Sequence, residues 1–497
     1  MMLAPKTEIV EPAVYTRAVQ HVAQRRVYLP TLSQLADPNW QSPALRHALQ
    51  QVAASDAPDP LQLLRIHWYN DAQGGQLSVP AYVRLPESLT GVKAPILVAM
   101  ARHFPLIGAH KVLPAYAALV SRLVTGQFDP TVQRAVWPST GNYCRGGVAV
   151  SKLLGCRGVA VLPAGMSAER FAWLARWVND PSDVIATPGS ESNVKEIYDA
   201  CRTLAADPRN VVLNQFSEFA NYLSHYGCTG PALAQVFEAA RHEHPPLRLA
   251  GFVAGTGSAG TLAAGDWLKD RYGTRIAALE ALECPTLLEN GFGEHNIQGI
   301  GDKHVPLIHN VMNTDFVIGV SDRASDQLFC LLQSAVGQDT LTARYGIAPT
   351  LVAELSQLGL SGLANIVGAI KLAQPLRLSP DEAVITVATD HSALYLSEVE
   401  KLTRRDFAGR FDALAAAQVF GRHILGASRD AVLELTEADR RRIFNLGYFT
   451  WVEQQGIAAE EFVARRPQSF WRSLRACIAR WDTLIDEFNH RSGAPLP

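Results

Sequence analysis

A chain of 497 residues, 48% hydrophobic and 19% charged, is long enough for two to four domains and has the balance of a soluble globular protein. Its formal net charge of −2 gives no electrostatic basis for binding nucleic acid or an anionic membrane. Residues 1–10 lack the basic start and long apolar core of a signal peptide, and no apolar run approaches the ~20 residues that span a bilayer. Seven scattered cysteines without a Cys-x-x-Cys spacing outline neither a disulfide framework nor a zinc site, so the expected compartment is the reducing cytoplasm.

Residues 1–93 read as an N-terminal extension. Ser42 before Pro43 is a helix N-cap signal. The runs 63–69 and 77–85 around the glycine-containing stretch 70–75 predict a β-hairpin. From residue 94 the pattern becomes strand–helix alternation, which implies a mostly parallel sheet covered by helices. Strands are predicted at 94–101, 134–137, 158–162, 183–186, 211–213, 247–254, 274–279, 316–320 and 383–388. After about residue 400 the strands stop, and 406–425, 436–455 and 460–489 read as helices of a cap or dimerisation arm.

Lys111 lies where the first of these strands hands over to a helix, a usual place for a site in an α/β protein. The chain has nine lysines against thirty-six arginines, and only an amine forms a Schiff base with an aldehyde cofactor. The sharpest local signal is Gly255-Thr-Gly-Ser-Ala-Gly260-Thr261, between a strand and a helix, where backbone N–H groups and the helix N-terminus favour a phosphate. The same residues satisfy Gly-x-Gly-x-x-Gly, and Glu280 ends the next strand. By itself this motif favours a nicotinamide or flavin dinucleotide. Ser139-Thr-Gly-Asn142 and Gln215 each follow a strand and offer neutral groups for a carboxylate; Asn142 could also bond a phenolic oxygen. His295, His304 and His309 have no metal-ligand spacing, and no metal is expected.

Taken in order, Lys111, Ser139-Thr-Gly-Asn142, Gln215-Phe216, His225-x-x-x-Thr-Gly-Pro231, the loop 255–261, Ile297-Gln-Gly-Ile-Gly301 and Gly359-Leu-Ser361 resemble the cysteine synthase group of pyridoxal-phosphate enzymes, the fold type II or tryptophan synthase β-like family. The resemblance covers about residues 95–400. It implies an α/β fold of two open, mostly parallel sheets covered by helices: a pyridoxal-phosphate core at 94–400 with a smaller mobile subdomain at about 115–230. The 1–93 extension and a helical extension at 401–497 flank it. It implies pyridoxal 5'-phosphate as cofactor, attached to Lys111, which would also move protons at the substrate Cα. Asn142 would bond the ring oxygen, Gly257, Ser258, Ala259, Gly260 and Thr261 would cradle the phosphate, and Ser361 would face the pyridine nitrogen. Thr389-Asp-His391 is a second candidate for that last position. Ser139, Thr140, Gly141 and Gln215 would hold the substrate carboxylate.

The implied activity is β-elimination or β-replacement on a small L-amino acid through an aminoacrylate, in a cytoplasmic homodimer. The alternatives are a lyase releasing pyruvate and ammonia, a dinucleotide-dependent oxidoreductase, and a cofactor-binding regulator without turnover. The sequence departs from the family pattern at His110 and Val112 beside the lysine, at Ser258 and Ala259 where Thr and Gly are usual, and at Tyr143.

Overall fold

Each apolar run expected as a strand between 94 and 388 forms one. The computed structural model describes residues 4–53 and 57–496. In chain order the strands are β1 (Tyr82–Leu85), β2 (Ile96–Met100), β3 (Arg134–Pro138), β4 (Arg157–Pro163), β5 (Val184–Thr187), β6 (Asn210–Val212), β7 (Arg248–Gly255), β8 (Arg275–Ala281), β9 (Phe316–Val320), β10 (Glu382–Ala388) and β11 (Val432–Glu434).

They build two sheets. The larger has the order β1-β2-β10-β7-β8-β9-β11, and the smaller β5-β4-β3-β6. Pairing is parallel except where β1 and β11 close the edges of the larger sheet. β2 and β9 are buried along their whole length, as continuous apolar runs in a sheet covered on both faces should be. The helix Val112–Val124, on the connection from β2 of the larger sheet to β3 of the smaller, packs on the helix Asn142–Leu153. No helix among the described residues is long and apolar enough to cross a membrane.

Two expectations are corrected. The hairpin predicted between 63 and 85 is not formed. Pro60–Arg65 is a 3₁₀ helix, started by Pro60 and capped by Asp59, whose Oδ1 accepts from the Leu61 N–H at 2.8 Å. Pairing across the turn shrinks to a single antiparallel bridge, Asn70 with Gln76. The second arm instead gives β1, because its apolar face is completed by β2 rather than by residues 63–69. The C-terminal region is also not purely helical: β11 extends the larger sheet beyond β9.

The two extensions pack on each other. Asn489 bonds both the N–H and the carbonyl of Leu29, at 3.0 and 2.8 Å, and the Tyr15 and Phe488 rings meet edge to face at 5.5 Å. The C-terminal helices also hold the loop after Ile300. Trp451 Nε1 donates to the Val305 carbonyl at 2.7 Å, and the side-chain amides of Gln468 and Asn310 pair reciprocally.

Candidate active site

Parallel strands release their following loops at one end of a sheet, and here both sheets do so towards a single cavity. Lys111 follows β2, Ser139 and Thr140 follow β3, Gln215 follows β6, the loop 255–261 follows β7 and Thr389 follows β10; all contribute to its wall.

The approach to Lys111 is tightly constrained. After β2 the chain passes Leu106 (φ +70°) and Gly108 (φ +59°). Ala109 then bridges to Asp390, and the His110 N–H donates to the Thr389 carbonyl at 3.1 Å. Lys111 immediately precedes the helix Val112–Val124. Its Nζ donates to Ser258 Oγ at 2.8 Å and to Gln215 Oε1 at 3.3 Å. Burial lowers its pKa to about 8, although Asp302 and Glu191 pull the other way. A lysine in that range holds a usable fraction of neutral, nucleophilic amine near neutral pH.

The loop 255–261 opens the helix Leu262–Tyr272. The backbone N–H groups of Gly257, Ser258, Ala259 and Thr261 have no acceptor among the described residues. Gly257 and Gly260 leave no room for side chains: a Cβ would lie 2.7 Å from the Gly299 carbonyl at the first and 2.1 Å from Asn221 Oδ1 at the second. Ala259 adopts φ +63°, the left-handed region, at the position where the resembled family carries glycine. A set of free donors at a helix N-terminus is an anion cradle.

Across the cavity, Ser139 Oγ accepts from the Gly141 N–H at 2.9 Å. Gly141 sits behind the wall. Its φ of +148° and missing Cβ make room for Arg170, whose Nε would be 2.6 Å from a Cβ. Asn142 Nδ2 donates to Asp390 Oδ2 at 2.6 Å, and Asn142 Oδ1 accepts from Arg145 at 3.0 Å. Ser361 is also one layer back, its hydroxyl 2.6 Å from that of Thr389, which faces the cavity. The two candidates for one position are therefore a bonded pair.

Sequence reasoning missed several groups. Asp302 lines the cavity, is 5% exposed, and has an unpartnered Oδ2. Glu191 is 1% exposed with an unpartnered Oε2, and the nearby Thr140 hydroxyl and Gly299 N–H favour its charged form. Burial pushes Asp302 well above the usual carboxylate range, and Glu191 adds to that shift; burial pushes Glu191 up to about 7. Behind them, Arg170 bonds Gln298 and Tyr395, and Tyr395 bonds Asp390. Asp302 directly follows Ile297-Gln-Gly-Ile-Gly301, so a local signal existed. Glu191 has none, because only folding brings the segment after β5 near Thr140.

Glu280 does not serve a dinucleotide. Its carboxylate accepts from the Leu287 and Leu288 N–H groups at 2.8 and 2.9 Å, capping a short helix away from the glycine loop. The three histidines have separate partners: His295 with the Gly301 carbonyl, His304 with Tyr198 and His309 with Thr314.

The profile of a family described as pyridoxal-phosphate dependent enzymes matches residues 80–390, more than half of the sequence. The chain belongs to this family. The enzyme is 28% identical over 246 residues to cysteine synthase B of Campylobacter jejuni, covering 49% of this chain and 71% of that protein. It is 28% identical over 288 residues to cysteine synthase 3 of Caenorhabditis elegans, covering 54% and 74%. Among solved structures it resembles a hydrogen sulfide-producing enzyme from Fusobacterium nucleatum, with a TM-score of 0.54 and 22% identity over 71% of this chain and 95% of that one. It also resembles an O-acetylserine dependent cystathionine β-synthase from Helicobacter pylori, with a TM-score of 0.52 and 21% identity over 64% and 94%. These structural likenesses establish the fold type II architecture around the cavity.

Proposed function

We propose that the enzyme catalyses β-elimination or β-replacement on a small L-amino acid, with Lys111 carrying pyridoxal phosphate. The observation that carries this reading is the placement of Lys111 Nζ between Ser258 Oγ of the glycine loop and Gln215 Oε1 of the opposite wall. The cavity fits that cofactor on three counts. The free N–H groups of Gly257, Ser258, Ala259 and Thr261 suit a phosphate, the buried amine suits an aldehyde, and Asn142 with the Ser361–Thr389 pair suits the polar edge of a pyridine ring. When bound, the cofactor supplies an electron-withdrawing ring conjugated to the substrate nitrogen.

The residues then divide the work. Ser139, Thr140 and Gln215 hold the substrate carboxylate, and Gly141, behind the wall, orients Ser139 through its N–H. Lys111 Nζ takes the proton from the substrate Cα as the β-substituent leaves. Hydroxyls at Ser361 and Thr389 hold the ring without the full charge that a carboxylate would impose, which suits loss of a β-substituent. The smaller sheet belongs to the mobile subdomain at about 115–230 that closes over the substrate. The cysteine synthases among the relatives, and the O-acetylserine dependence of the Helicobacter pylori enzyme, support O-acetylserine and cysteine as first substrates to try.

Asp302 favours a second reading, elimination from a hydroxyl amino acid. A carboxyl held neutral by burial at the cavity wall can protonate a departing hydroxyl: the Cβ–O bond breaks, its electron pair stays with oxygen, and the proton of Asp302 completes water. Pyruvate or a 2-oxo homologue and ammonia are then released. Seven cysteines without disulfides support a cytoplasmic setting, and the exposed Phe292, Phe449 and Val463 support self-association as a homodimer.

The test is a visible spectrum of the purified enzyme and of Lys111→Ala, followed by mixing with O-acetylserine, serine, cysteine and threonine in turn. A cofactor band that shifts with at least one amino acid, and is lost from the protein in the variant, is the expected result. A colourless wild-type protein, or a band unchanged by the substitution, would overturn the assignment.

A further inference from the structure

A second cavity, about 690 Å³ in volume, lies between the N-terminal extension and the catalytic core. It is within the size range of small-molecule sites. Arg65, Arg102, Lys152 and Arg176 line it, against one acidic lining residue among the described residues, Asp71. Arg102 is paired with Glu354. The other three cations have no carboxylate hydrogen-bonded or ion-paired to them among the described residues. Arg65 is 7% exposed, donates to the neutral Gln62 at 2.8 Å, and leaves its Nε without a partner. Lys152 Nζ donates to the Trp177 carbonyl at 3.0 Å and lies 5.7 Å from the centre of the Trp177 ring. Asp71 spends Oδ1 on the N–H groups of Gln73 and Gly75. Arg65 is buried, Lys152 half-buried and Arg176 exposed, and an anion seated among them would offset their shared positive charge.

Four chain segments reach this cavity; two of them also line the catalytic one, and two contact residues packed against its wall. Arg102 is on the same connection as Lys111. Lys152 ends the helix that Asn142 begins. Arg176 and Trp177 end the helix Ala168–Trp177, whose Arg170 bonds Tyr395 beside Asp390. Arg65 ends the 3₁₀ helix that leads to Trp68, and the Trp68 ring stacks on His110 at 6.1 Å with a 17° tilt.

We propose that this second cavity binds a small dianion, a phosphate ester or a dicarboxylate, and that its occupancy changes substrate affinity in the catalytic cavity. A dianion would take bidentate hydrogen bonds from a guanidinium and the point charge of Lys152. The Trp173–Trp177 stack, 4.9 Å between ring centres, gives the site an optical reporter. The binding half of the proposal does not depend on which reaction the enzyme catalyses.

The test titrates the tryptophan fluorescence of the holoenzyme with glycerol 3-phosphate and, separately, malate, with potassium chloride holding the ionic strength constant. The expected result is a saturable change with one probe, which names the source class, weakened at least tenfold in Arg176→Glu and in Lys152→Met. The same probe should shift the apparent affinity for the amino-acid substrate at least threefold, read as KM or from the cofactor's visible band. No saturable change with either probe would overturn the site. Malate binding unaffected by Arg176→Glu would assign it to the catalytic carboxylate pocket and equally overturn it. Saturable binding with no shift in substrate affinity would overturn the effector role.

Discussion

His110 Nε2 lies 3.2 Å from Thr261 Oγ1, so the residue before Lys111 is tied to the far end of the glycine loop 255–261. Its Nδ1 faces the Thr389 carbonyl at 3.1 Å, which places the ring proton there and leaves Nε2 to accept from the threonine hydroxyl. Burial lowers the His110 pKa to about 3, so the ring is neutral. The departure from the family pattern at this position therefore positions the loop rather than adding an acid or base. We expect His110→Ala to weaken cofactor binding about tenfold, or ~1.4 kcal/mol, for a lost hydrogen bond and stacking partner. The visible band of the fully loaded variant should match that of wild type. Titration of the apoenzyme with cofactor, read by absorbance, checks both; unchanged affinity would remove the positioning role.

Gly260 and Ala259 should respond in opposite ways. A Cβ on Gly260 meets Asn221, which is fully buried and already donates to the Gln215 carbonyl and Ser258 Oγ, so it has nowhere to move. Gly260→Ala should fold yet bind the cofactor at least about tenfold more weakly, a loss of ~1.4 kcal/mol. Ala259→Gly relieves a left-handed alanine and should retain cofactor affinity, with unfolding free energy within about 1 kcal/mol of wild type. Cofactor titration with urea unfolding of both variants tests the contrast.

Asp302→Asn keeps the size of the side chain but removes the transferable proton. Turnover of serine or threonine should fall by about 10²-fold or more, the usual contribution of a positioned acid. Turnover of O-acetylserine, whose acetate needs no proton to leave, should fall much less. Equal losses on both substrates would show that Asp302 shapes the cavity without supplying a proton.

Glu191 couples folding to pH. Its pKa is raised from 4.5 to about 7 by burial, so the folded state holds a proton that the unfolded state releases. Stability from this group is therefore fully present below about pH 4.5 and is lost as pH rises to about 7. The upper bound is about 3 kcal/mol for a shift of that size. In Glu191→Gln that fall should be absent, so the stability difference between variant and wild-type apoprotein should widen in the variant's favour from pH 5 to pH 7. Urea unfolding at several pH values measures it, and a difference independent of pH would rule the coupling out.

Much of the core was legible locally. Continuous apolar runs bounded by glycine-rich loops are enough to specify buried parallel strands, because both faces of such strands are covered and no alternation is required. The glycines at 257 and 260 were readable for the same reason: close backbone approach excludes a side chain wherever it occurs. The failures were outside the parallel strands. The run 63–69 is as apolar as a strand, but Asp59 and Pro60 set a 3₁₀ helix, and the partner of β1 turned out to be β2.

What the sequence by itself determined is the set of parallel strands and the order of the motifs along them, all of which depend on neighbours a few residues away. Tertiary structure alone decided that Glu191 comes near Thr140, that Asp302 shares its cavity with Lys111, and that Ser361 bonds Thr389. It also decided that Arg65, Lys152 and Arg176 face one another across a second cavity. These pairings join groups far apart in the chain. Their energies come from burial and from the Coulomb interactions that burial strengthens, and neither exists until the sheets and helices have packed.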